Sequence, residues 1–121
     1  MTYTQKLEAS KEFYPFTNWR ELEEDLPQYT AENCSRTQQV LDGLIDELVR
    51  IGEAAEENQK VALFEKAVTE LNALNEEIEG LIETGEREEL CDLFNKITVA
   101  AGLDPEKYGE GEGIASEWRE W

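Results

Sequence analysis

Carboxylates are the residues of this chain best placed to do chemistry. Glu76-x-x-Glu79 and Glu89-x-x-Asp92 each set two acids three residues apart, which on a helix puts both on one face. Two such pairs on neighbouring helices can hold magnesium and support metal-assisted hydrolysis. Asp104 to Ala115 has the glycine and acid content of a calcium loop, but Ala115 stands where the last ligand must be glutamate. The chain has no histidine, so the usual general base, pH switch and transition-metal ligand are missing. A Ser–His or Cys–His hydrolase is excluded, as is a carboxylate-bridged iron site built on Glu-x-x-His. No Gly-x-x-x-x-Gly-Lys phosphate loop is present. Cys34 and Cys91 are too few for a disulfide framework or a thiolate zinc site. Both fall on apolar helix faces and read as buried thiols, with a redox pair as the alternative.

The acid pairs resemble those of all-helical nucleotide pyrophosphohydrolases of the MazG type, which carry Glu-x-x-Glu on one helix and Glu-x-x-Asp on the next. The resemblance implies Glu76, Glu79, Glu89 and Asp92 as magnesium ligands. The elements that must position them argue against it. A first long helix is predicted over about 31–56, with the seam Cys34, Thr37, Leu41, Leu44, Leu48, Ile51, Ala55 at alternating spacings of three and four. Thr30 is its N-cap. A second is predicted over about 59–84, capped by Asn58 and ended by Gly85, with the seam Phe64, Ala67, Leu71, Leu74, Ile78, Leu81. A third covers about 86–101 through Leu90, Leu93, Phe94, Ile97, Ala100 and Ala101, and Gly102 ends it. Short connections make these an up-down-up three-helix bundle within one all-α domain of residues 1–121. Against these seams the four acids point outward, away from any shared site.

The two ends are different material. Nine of the eleven aromatics lie outside residues 31–103. Residues 1–29 form an aromatic arm: Gln5 to Phe13 as a first short helix, a break at Pro15, then Trp19 to Leu26 capped by Asn18 with Glu21. The arm is expected to wrap the 30–103 core and bury Phe13, Phe16, Trp19 and Leu22. Residues 104–121 open with Asp104-Pro105, a helix start. A flexible linker, Glu110 to Gly113, leads to a tail in which Trp118 and Trp121 would share a face of a helical turn.

The net charge is −18, from 29 acids against 11 Lys and Arg. Such a surface repels nucleic acid and anionic membrane and attracts basic partners, or it serves solubility alone. No apolar run approaches the roughly 20 residues of a membrane span, and the first residues lack a secretion-signal pattern. A soluble cytoplasmic protein is the expectation.

Leu81-Ile82-Glu83-Thr84-x-Glu86-Arg87-Glu88-Glu89, Ala100-Ala101-Gly102-Leu103 and Glu117-Trp118-Arg119-Glu120-Trp121 resemble small acidic bacterial helical proteins that share a Glu-Arg-Glu helix start and a Trp-Arg-Glu-Trp end. That group carries no assigned activity, so the resemblance implies none. The residues themselves point to a non-enzymatic acidic binding protein without cofactor. It would recognise a basic protein, as an immunity protein or toxin inhibitor does. Trp19, Trp118, Arg119 and Trp121 are the expected anchors, because tryptophan and arginine dominate interface energetics. Glu117 and Glu120 would pair with the partner's cations. The alternatives are the magnesium-dependent pyrophosphohydrolase and an oligomerising structural bundle.

Overall fold

A computed structural model describes all 121 residues. The chain is all-helical, without a strand. Its α-helices are α1 (Tyr3–Ala9), α2 (Phe16–Glu21), α3 (Ala31–Ile51), α4 (Glu57–Glu77) and α5 (Thr84–Ala100). Short 3₁₀ turns follow α1 (Ser10–Phe13) and α5 (Pro105–Lys107, Gly109–Gly111, Ile114–Glu117).

The long helices start and stop for identifiable reasons. Thr30 Oγ1 accepts from Asn33 N–H at 3.1 Å and opens α3 as expected. The helix ends at Ile51, earlier than its apolar pattern suggests. Gly52 adopts φ 85°, the left-handed region that favours glycine. α4 opens on Glu56 instead of Asn58, and the Glu56 N–H donates to Gln59 Oε1 at 3.1 Å. It ends at Glu77 because Ile78 is extended, and Gly80 turns the chain at φ 74°. Gly85 therefore lies in the first turn of α5 and does not terminate α4. α5 closes as predicted: Gly102 sits at φ 84°, and Leu103 N–H donates to Thr98 O at 3.0 Å.

α3 and α4 pack closely side by side. Their buried residues are Cys34, Thr37, Leu41, Leu44, Ile45 and Leu48 on α3 and Lys60, Phe64, Ala67, Val68, Leu71 and Asn72 on α4. α5 meets α4 through large side chains, with the Phe64 and Phe94 ring centroids 6.5 Å apart. Its nearer backbone neighbours are α1, the 3₁₀ turn after α1, and the turn at 114–117. One apolar cluster of 22 buried residues runs from Leu7 to Trp121.

The N-terminal arm differs in detail from its expected form. Thr2 and Gln5 make a capping box, so α1 starts at Tyr3. Pro15 occupies the N-cap of α2, three residues ahead of the expected Asn18 cap, and α2 ends at Glu21. Tyr14, Phe16, Trp19 and Tyr29 form a chain of rings at 5.2, 5.2 and 5.4 Å. Such pairs are each worth about 0.5–1.5 kcal/mol beyond burial. Tyr14 donates to Asp42 on α3 at 2.8 Å, and Tyr29 to Leu81 O at 3.0 Å. The arm thus ties α3 to the turn after α4. Phe16 and Trp19 are buried as expected, whereas Phe13 and Leu22 are exposed.

Candidate functional site

The four acids of the metal reading are not brought together. Because α4 stops at Glu77, Glu76 sits in its last turn and Glu79 in the loop beyond. Glu89 accepts from Trp19 Nε1 at 3.2 Å, and Asp92 pairs with Lys96 at 3.4 Å. All four are exposed, and no three acid or thiol side chains anywhere in the molecule converge as a metal donor set. Asp104 serves as a cap, its Oδ1 accepting from Glu106 N–H at 3.0 Å. The thiols of Cys34 and Cys91 are both free, and burial pushes both pKa values up, the reverse of nucleophile activation.

The tail is folded onto α4 and α5. The segment expected to be a flexible linker is a pair of tight turns. Gly109 N–H donates to Glu117 Oε1 at 2.7 Å, and a Cβ on Gly109 would lie 2.7 Å from that of Ser116. Tyr108 donates to Glu57 at 2.7 Å and fastens the turns to the start of α4. Ile114 and Ala115 are buried. Asn72 on α4 then grips the last residues. Its Nδ2 donates to Trp118 O at 3.0 Å and to Glu120 Oε2 at 3.1 Å, and its Oδ1 accepts from Glu120 N–H at 2.9 Å. Nothing local in the sequence couples residue 72 to residues 118–120, so its role was not anticipated.

Trp19 is 0 % exposed and Trp121 9 %, so both are core groups. The helical turn ends at Glu117 and Trp118 leaves helical geometry, so Trp118 and Trp121 do not share a helix face. Trp118 and Arg119 are half-buried. The Arg119 guanidinium donates to Trp121 O at 2.6 Å and lies 5.8 Å from the Trp121 ring. Only Glu117 and Glu120 of the proposed set are exposed, and both also bond within the chain.

What remains open to a partner is the general surface and its grooves. Five ion pairs engage only five of the 29 acids. Two grooves that share Val40 and Glu70 run along the outer side of the α3–α4 pair, closed at one end by the Arg36–Glu77 ion pair. A further groove, about 520 Å³, lies between the α1 end and α5 and is walled by Phe13 and Val99.

Comparison of the chain with protein-family models, with curated proteins and with solved structures returned no match.

The function must therefore be argued from the residues in place. No helix is long and apolar enough to cross a membrane. The electrostatics are one-sided: every acid but the buried Glu86 reaches solvent, and several cations are engaged internally. Lys60 is the clearest case and was missed at the sequence level. It is buried, and its Nζ donates to Glu53 O at 2.9 Å and Ala101 O at 2.8 Å. The signal was available, since Lys60 continues the Phe64–Ala67–Leu71 seam one turn upstream.

Proposed function

We propose that this chain is a non-enzymatic acidic binding protein whose partner is a basic protein, in the manner of an immunity protein or inhibitor that masks a toxin. In this reading the three long helices are a frame, residues 30–103, and the arm and tail are folded onto it. The observation that carries the reading is the excess of exposed, unpaired carboxylates behind a net charge of −18. A field of that sign speeds the approach of a cationic protein and disfavours nucleic acid. Salt screens it over about 8–10 Å at physiological ionic strength. Apolar contacts then hold the complex.

Affinity capture from cell extract at low and raised salt tests it. The expected result is enrichment of basic proteins that are released as salt rises. Capture confined to neutral or acidic proteins, unchanged by salt, would overturn it.

A further inference from the structure

Three of the five large hydrophobic side chains exposed on this molecule, Met1 at 83 %, Phe13 at 54 % and Val99 at 62 %, line one groove. Isolated exposed apolar side chains are ordinary, but several sharing one concave surface mark an interaction site. Phe13 ends the 3₁₀ turn after α1, and Val99 stands on the solvent side of α5 beside the buried Thr98. The Lys96 ammonium lies 4.6 Å from the Phe13 ring centroid and is itself tethered by Asp92 at 3.4 Å. The cation thus sits against a ring that still leaves about half of its side chain open to solvent. Pro105 closes the groove, flanked by the exposed Asp104 and Glu106.

The charges around the groove nearly balance. Lys6 and Lys96 line it together with Glu12 and Asp92. This is an apolar, locally near-neutral surface on a strongly negative body. A second copy seated there would bring its own eighteen excess negative charges. A basic chain brings the complement. We propose that this groove seats the apolar anchor of a basic protein segment, one that presents a leucine- or phenylalanine-like side chain between lysines or arginines. The proposal rests on the basic-partner reading above and adds the place and the chemistry of the anchor. The long-range field brings the segment in, and Phe13 and Val99 hold it.

The probe is a synthetic helical peptide with leucine and lysine at amphipathic spacing, set against a control of the same composition in scrambled order. Binding to the full chain is followed by fluorescence anisotropy and by backbone amide chemical-shift mapping. The amphipathic peptide should bind more tightly and should shift amides around residues 9–13 and 96–105. Phe13→Ser and Val99→Glu should each weaken it by about tenfold or more, with circular dichroism confirming that both variants fold. Val99→Glu separates the forces, because a purely electrostatic contact would be tightened by the added negative charge. Equal salt-sensitive binding of both peptides, unchanged in both variants, would overturn the groove and leave the basic-partner reading standing. Shifts centred on Val40, Gly43 and Leu63 would move the site to the α3–α4 groove and also overturn the proposal. A dimer in sedimentation that Val99→Glu dissociates would make a second copy the occupant. Failure of both peptides to bind at low salt would sink the basic-partner reading itself.

Discussion

Replacing Asn72 with alanine should release the C-terminal tail while the helical frame stays folded. The side chain makes three hydrogen bonds, two of them to backbone atoms of residues 118 and 120. The third goes to the exposed Glu120 carboxylate, where water competes, and counts least. A typical net hydrogen bond is worth about 0.5–1.5 kcal/mol, so the latch contributes about 2 kcal/mol. That is roughly a thirtyfold change in the ratio of docked to undocked tail. Undocking would expose Trp121 and leave the wholly buried Trp19 unaffected. Tryptophan emission should shift to the red, and quenching should rise as Trp118 and Trp121 become accessible. Acrylamide is the right quencher, because iodide would be repelled by a net charge of −18. Asn72→Asp should be worse than alanine, since it replaces the Nδ2 donor with a charge facing Trp118 O and the Glu120 carboxylate. If emission, quenching and thermal midpoint all stay at wild-type values in Asn72→Ala, the latch reasoning is wrong and apolar burial alone holds the tail.

Lys60→Met keeps the aliphatic stem but strands the carbonyls of Glu53 and Ala101; we expect a loss of about 2 kcal/mol in urea unfolding, with Lys60→Arg intermediate. Gly43→Ala should raise stability by about 1 kcal/mol, because Gly43 is an exposed position inside α3 where a Cβ would meet nothing within 4 Å; a fall in the same unfolding midpoint would refute this. All four tyrosines hold their protons above the ordinary tyrosine range, burial being the leading cause, with Tyr108 pushed up to about 12. The folded state thus keeps protons that the unfolded chain gives up, so the tyrosine contribution is whole below pH 10 and is lost as pH climbs through the folded values. Tyrosinate absorbance in a native alkaline titration should lag that of the denatured chain, and coincident curves would contradict it.

The helices were legible in the sequence and their ends were not. Leu41, Leu44 and Leu48, then Phe64, Ala67 and Leu71, then Leu90, Leu93 and Ile97 are buried where their spacing places them. The apolar pattern, however, continues through the turn after α4, where Leu81 is buried although the helix has stopped. Periodicity registers burial and not hydrogen bonding, so it ran on past Glu77. Gly52 and Gly80 carried the stop signals. The buried Lys60 and Glu86 stand in seam register with Phe64 and Leu90 and could have been found there. The tail's docking and the exposure of Phe13 depend on contacts between distant residues, and no local spacing encodes them. This is why Trp121, a residue expected to anchor a partner, holds the core, while Phe13, expected in the core, walls the largest groove.

How the chain uses its cations bears on what the acids are for. With eleven Lys and Arg against 29 acids, neutralising the surface would be the obvious use of each. Several are placed otherwise. Lys60 serves the carbonyls at the end of α5 and in the α3–α4 turn, Arg119 donates to Trp121 O, and Arg20 divides its guanidinium between Tyr29 O at 2.8 Å and Glu23 at 3.1 Å. These contacts fix the arm, the helix ends and the tail while leaving surface repulsion in place. Repulsion of this kind works against a compact state. Here it is opposed by the ring chain from Tyr14 to Tyr29 and by the docked tail. A fold that needed the acids only for solubility would gain stability from pairing more of them. Keeping the field unpaired, with packing at both ends to withstand it, fits a surface that acts on something outside the molecule.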